Sequence, residues 1–189
     1  MRAGRPFLEE SLQLYRDLDD KPGIARNLWA ISMAVAAEGD MAAALAFARQ
    51  SLLLSQELGD PFMTGWAAHM VGLGELVTGQ LDAAAEHLRE SLDIWTAAGD
   101  QSGLVVLMFD IAMLAGSRGR PSQRWRLMGA SDRLRQVTGT ELVMEDADFI
   151  GWDTRRVPED DEERLWFDEG AALTLEEALD LARGELEAR

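Results

Sequence analysis

His69 and His87 are the only imidazoles in the chain, and they fall on different predicted helices with no serine-nucleophile pattern around them. General-base or nucleophilic catalysis needs a base within hydrogen-bond reach of a nucleophile and a third group that orients it. The sequence supplies no such set, so both histidines read as structural or groove-lining. No cysteine is present, which removes thiolate nucleophiles, disulfides and Cys-ligated zinc or iron–sulfur sites. Gly72-Leu73-Gly74 and Gly79 invite comparison with a phosphate loop. They lie inside a helical pattern, however, no Lys-Ser or Lys-Thr follows, and Lys21 is the only lysine. The acidic run Glu159-Asp160-Asp161-Glu162-Glu163 lacks the alternating ligands and central glycine of a calcium loop and reads as a solvated helix start. Asp110 sits between Leu107-Met108-Phe109 and Ile111-Ala112-Met113. Two readings stay open for it: facing water along a groove, which is preferred, or paired with a partner such as an arginine. Hydrolysis by a convergent pair of carboxylates in a dry pocket is the one enzymatic chemistry left. The expectation is therefore no catalytic residue, no metal and no cofactor.

Composition narrows the partners. The chain has 189 residues, 47% of them hydrophobic, which is enough for a substantial core. Eighteen Lys plus Arg against 34 Asp plus Glu give a formal charge of −16, which repels nucleic-acid phosphates and anionic lipid headgroups. Acidity is densest after residue 120, where 18 acidic residues face 9 basic ones. The start, Met1-Arg2-Ala3-Gly4-Arg5-Pro6, leads into Phe7-Leu8-Glu9-Glu10 rather than an apolar signal core, and no apolar run approaches the roughly 18 residues of a membrane span. Neither nucleic acid nor membrane is an expected partner, and a cytoplasmic location is expected. Few prolines and abundant Ala, Leu and Glu favour helix, while 17 glycines need a separate explanation.

The elements that position these residues follow from an internal repeat. Ser11-Leu12, Ser51-Leu52 and Ser91-Leu92 lie forty positions apart, with Ser131 on the next step. Asp20, Asp60 and Asp100 share the period, as do Gly39, Gly79 and Gly119. Each period holds two amphipathic helices. Ile24–Glu38 carries Leu28, Ile31 and Val35 on one stripe and breaks at Gly39-Asp40, a left-handed glycine followed by an N-cap. Met41–Leu58 is its partner, and Gly59-Asp60-Pro61 closes the unit with a capping aspartate and a first-turn proline. Phe62–Thr78 pairs with Leu81–Ala98, and Gln101–Ser117 pairs with Ser122–Thr138. Phe7–Leu18 reads as a second helix whose first partner is missing, and the abrupt opening suggests a segment of a longer chain. The expected organisation is repeats over 1–140 (a lone second helix at 6–20, pairs at 21–60, 61–100 and 101–140) and a helical cap over 141–189.

This spacing resembles tetratricopeptide repeats in a forty-residue form. Small residues fall where paired helices cross: Ser32, Gly72 and Ala112 in the first helix, Ala44, Ala84, Ser51, Ser91 and Ser131 in the second. The resemblance implies an all-α fold, a right-handed α-solenoid of helix pairs with a divergent C-terminal cap. Arg124 departs from Ala44 and Ala84, so looser packing or splaying is expected in the third pair. A second resemblance is carried by Arg126-Leu127-Met128-Gly129-Ala130-Ser131-Asp132-Arg133-Leu134-Arg135, Thr138-Gly139, Phe167-Asp168-Glu169-Gly170 and Leu173-Thr174-Leu175-Glu176-Glu177-Ala178. These segments are similar to the end of large bacterial regulators of the LuxR type or related signal-transduction ATPases. There, helical repeats accompany nucleotide-binding and DNA-binding modules.

A solenoid end exposes the apolar face of its last helix, so a terminal segment that covers it is expected. Leu142–Asp153, Pro158–Glu169 and Thr174–Leu186 are the predicted covering helices, with a capping box at Thr174 and Glu177 and a proline-plus-acid first turn at Pro158. In tetratricopeptide proteins the first helix of each pair lines the concave wall. By spacing, that wall takes Arg26, Trp29 and Met33 from the first pair, Trp66, His69, Met70 and Leu73 from the second, and Phe109, Asp110 and Met113 from the third. Aromatics and methionines in such a wall suit an apolar peptide or helix, with Arg26, His69 and Asp110 orienting it. The expected function is a non-enzymatic interaction or sensor module of a larger bacterial cytoplasmic regulator, binding a protein, peptide or small ligand, or other domains of its parent chain. The alternative is a structural or oligomerisation module whose exposed apolar faces form a homodimer.

Overall fold

The computed structural model describes residues 4–140 and 157–188, and among them the chain is all-helical. The helices are α1 (Arg5–Asp17), α2 (Lys21–Ala37), α3 (Met41–Leu58), α4 (Pro61–Val77), α5 (Leu81–Ala98), α6 (Gln101–Ser117), α7 (Pro121–Thr138), α8 (Asp161–Ala171) and α9 (Leu175–Glu187). The predicted helix Leu142–Asp153 lies outside the described residues.

Local chemistry sets the boundaries. Asp20, Asp40, Asp60 and Asp100 each accept the backbone N–H three residues on, at 3.0–3.1 Å, satisfying a donor that the first helical turn leaves without an intrahelical partner. Pro22, Pro61 and Pro121 sit at the first or second helical position, where a missing N–H costs nothing. Chain reversal after α3 needs a left-handed residue, and Gly59 supplies it at φ 61°. Five further glycines, forty residues apart in two series, occupy the same region. Between α1 and α2 that role falls to Asp19 at φ 51°, the one non-glycine residue with positive φ among the described residues. The acidic segment departs from expectation: Pro158 lies before α8, and Asp160 caps the helix by accepting from Glu163 N–H at 2.8 Å. Thr174 and Glu177 form the expected capping box.

The chain divides into two compact units, Met1–Ile94 and Trp95–Arg189. In the first, α3 packs against both α2 and α4, α1 packs against α2, and α2 also touches α4. Leu12, Leu28, Ile31, Val35, Ala36 and Ala44 form a buried cluster, with Leu8, Ile24 and Phe47 packed on it. Close crossings rest on small residues. The Ser51 hydroxyl donates to Ala25 O at 2.8 Å and Ser91 to Gly65 O at 2.9 Å.

In the second unit, Trp95 and Trp125 are fully buried, and α7 packs against α6, α8 and α9. Ser131 donates to Val105 O at 2.9 Å, the same bond at the same 26-residue separation as Ser51 and Ser91. Arg124 therefore does not splay α6 from α7. Its guanidinium carbon lies 4.6 Å from the Trp125 ring centroid, and its Cδ occupies the space beside Gly116, which has no side chain there. Helices α7 and α8 cross backbone to backbone at Gly129 and Gly170. A Cβ on Gly129 would strike Phe167 O, and one on Gly170 would strike Arg126 O. Both glycines belong to the tail segments singled out above. Arg118 and Arg120 pin α9 through the buried Glu185 carboxylate, at 3.3 and 3.2 Å.

Candidate functional site

α2 and α4 bring part of the expected wall together in the first unit. Arg26, Trp29 and Met33 form the least buried stripe of α2, opposite Ala25, Leu28, Ser32 and Val35, which are buried. Helix α4 is apolar nearly all round, so it packs on most sides and stays buried from Met63 to Leu76 except at Trp66. Trp29 meets Trp66 edge-on with ring centroids 5.8 Å apart at 64°, and Trp66 meets His69 at 6.0 Å and 89°. Trp29 and Trp66 are each partly exposed, Met33 is 42% exposed, and Arg26 is solvent-facing. The Trp29 indole Nε1 is buried and donates no hydrogen bond within the described residues.

The remaining wall residues are placed otherwise. His69, Met70 and Leu73 are buried at 6–7% exposure and present no surface, His69 packing against Trp66. Phe109, Asp110 and Met113 belong to the second unit, where Phe109 is partly exposed while Asp110 and Met113 are each 4% exposed. The water-facing reading of Asp110 is thus corrected: its carboxylate is inside the unit. Apolar neighbours on the same helix did not reveal this, because they do not say which face another helix covers.

Sequence reasoning missed two features. Phe62, 61% exposed, stands one turn before Trp66 on the same face of α4, a relation readable from the i, i+4 spacing. The other is a charged cluster spanning three helices. Glu75 of α4 is 2% exposed, and each carboxylate oxygen has a partner: Arg49 Nη2 of α3 donates to Oε1 at 2.9 Å, and His87 Nδ1 of α5 lies 2.7 Å from Oε2. His87 Nδ1 also approaches Ala83 O at 3.1 Å. Both neighbours are acceptors, so Nδ1 carries the ring proton. In the repeat register Glu75 takes the place of Val35 and Ala115, and His87 that of Phe47 and Leu127. An apolar pair has become a polar, hydrogen-bonded one.

The two histidines are thus packed or hydrogen-bonded structurally. No group of three or more His, Cys, Asp or Glu among the described residues has the geometry to hold a metal ion. No described helix is long and apolar enough to cross a membrane. What the α2–α4 face offers is shape and an aromatic, weakly polar surface edged by one cation. No protein-family model and no curated protein sequence matches the chain.

Proposed function

We propose that the chain is a non-enzymatic interaction module: a right-handed, tetratricopeptide-like solenoid segment with a divergent cap, working as the sensor or scaffold part of a larger bacterial cytoplasmic regulator. One observation carries the binding reading. Trp29 and Trp66, on neighbouring helices, form an edge-on pair left partly open to solvent and flanked by exposed Arg26, Met33 and Phe62. Tryptophan is enriched at binding hot spots because a rigid ring buries a large area at low entropic cost, and methionine adapts to the partner's shape. The ligand that fits is an apolar peptide or amphipathic helix, with a carboxylate to meet Arg26. In a regulator, such binding biases a conformational equilibrium only through differential affinity for its states.

The test is peptide-display selection against the chain, followed by titration of the recovered peptides on the Trp29→Ala, Trp66→Ala double variant, with circular dichroism to verify helicity. Removing two such anchors at about 2 kcal/mol each weakens binding by two to three orders of magnitude. Peptides that bind the folded double variant as tightly as the original chain would overturn the assignment.

A further inference from the structure

The internal repeat specifies what should lie against α1. Helices α1, α3, α5 and α7 occupy equivalent positions, and each carries a serine in the same register: Ser11, Ser51, Ser91 and Ser131. Three of these serines donate to a carbonyl 26 residues earlier, on a helix packed across them. The Ser11 hydroxyl oxygen instead accepts from Asn27 Nδ2 at 2.9 Å. That leaves the Ser11 O–H without an acceptor among the described residues. Asn27 is 8% exposed, and its Oδ1 is buried with no hydrogen-bond partner. The corresponding residues, Ala67 and Leu107, carry no such polar group. A serine donor and a buried amide acceptor thus share a single bond at the place where the other pairs bring in a main chain.

Packing tells the same story. Phe47 packs on the α2 cluster, whereas its equivalent on α1, Phe7, is 70% exposed. Ala48 and Leu88 are fully buried, whereas their equivalent Leu8 is only partly so. Leu14 is 57% exposed, while Leu54 and Ile94 are partly buried. Gly4 matches the small Ala44 and Ala84, so the close approach of a helix is sterically prepared.

We propose that the open face of α1 is the docking site of an amphipathic helix of a separate partner chain. That helix has the character of α2, α4 and α6: an apolar stripe, a small residue at the crossing, and a main-chain carbonyl presented to Ser11. The proposal is independent of the groove reading, since it uses a different face and different residues.

The probe is a synthetic peptide of residues 20–39, the chain's own helix of this type, fluorescently labelled and titrated into the full chain by anisotropy. Saturable binding in the micromolar range is expected, weakened at least tenfold by Phe7→Asp and by Leu14→Asp. Ser11→Ala should cost about fivefold, the worth of one neutral hydrogen bond. Leu53→Asp, at an equally exposed leucine of α3, should leave binding unchanged. All four variants alter exposed or half-buried positions, and circular dichroism selects those that are folded. No saturable binding, or equal binding by the folded α1 variants, overturns the proposal. So does a concentration-dependent dimer of the chain alone that Phe7→Asp dissolves in sedimentation equilibrium, because the face would then belong to a second copy.

Discussion

Replacing Gly129 or Gly170 by alanine should destabilise the second unit, although both glycines lie inside helices. On an open helix, Gly→Ala stabilises by about 1 kcal/mol because alanine loses less backbone entropy. At Gly129 the new Cβ would strike Phe167 O and lie 2.8 Å from Ala171 N; at Gly170 it would strike Arg126 O and lie 2.6 Å from Arg126 Cα. These neighbours are backbone atoms within helices, so no rotamer change relieves them and α7 must move away from α8. Overpacking of this kind costs about 1–3 kcal/mol and more where the backbone is rigid, and the lost contacts of the separated helices add to it. After subtracting the propensity gain, each substitution should cost about 1–3 kcal/mol, or roughly 3–10 °C in Tm for a chain of this size. Gly184 on α9 is the matched control, because a Cβ there meets nothing within 4 Å, and Gly184→Ala should raise Tm. Urea and thermal unfolding followed by circular dichroism measure all three. The double variant should cost less than the sum, since one separation accommodates both methyl groups. Equal signs at 129, 170 and 184 would refute the backbone crossing.

Asp19→Gly should stabilise the α1–α2 turn by about 0.5–1 kcal/mol in urea unfolding, because Asp19 holds φ 51° where the equivalent Gly59, Gly99 and Gly139 do so without strain. His87→Phe alone should cost about 1–3 kcal/mol by leaving Glu75 Oε2 buried without its imidazole partner. Adding Glu75→Val, which recreates the Val35–Phe47 pairing, should recover most of that loss in a double-mutant cycle. Glu177 is held below the ordinary carboxylate range because the Thr174 N–H, and then its hydroxyl, donate to its carboxylate. A depressed value means that the carboxylate's stabilising bonds are intact above the unfolded-state pKa of about 4.3 and are lost as pH falls through the lower folded-state value. Carboxyl NMR should show Glu177 titrating below the ordinary carboxylate range, and Thr174→Val should raise it.

Much of the helix map was legible because its signals are local. Asp40, Asp60 and Asp100 cap the helices that the Gly-Asp punctuation predicts, and Pro61 falls in a first turn, while α7 begins at Pro121, one residue before the expected Ser122. Where a boundary moved, the reason was equally local: Asp160 is a better cap than Val157, so α8 starts at Asp161. The wall was only partly legible. Spacing placed Trp29 and Trp66 on one wall, and they meet there. It also offered His69, Met70, Leu73, Asp110 and Met113 as surface, and all five are buried.

The sequence by itself determined the elements and their register: a left-handed glycine at most turns of the repeat, an aspartate at most starts, and a serine recurring every forty residues. These are contests among neighbours up to four positions apart, and residue type decides them. Only the tertiary structure decided which faces are covered and which polar groups find partners. Glu75 reaches Arg49 and His87, 26 and 12 residues away; Gly129 meets Phe167, 38 away; Glu185 meets Arg118, 67 away. Such contacts exist because the helices bury apolar stripes against one another, so burying Asp110 or leaving Phe7 open is a property of neighbours that one-dimensional spacing does not identify.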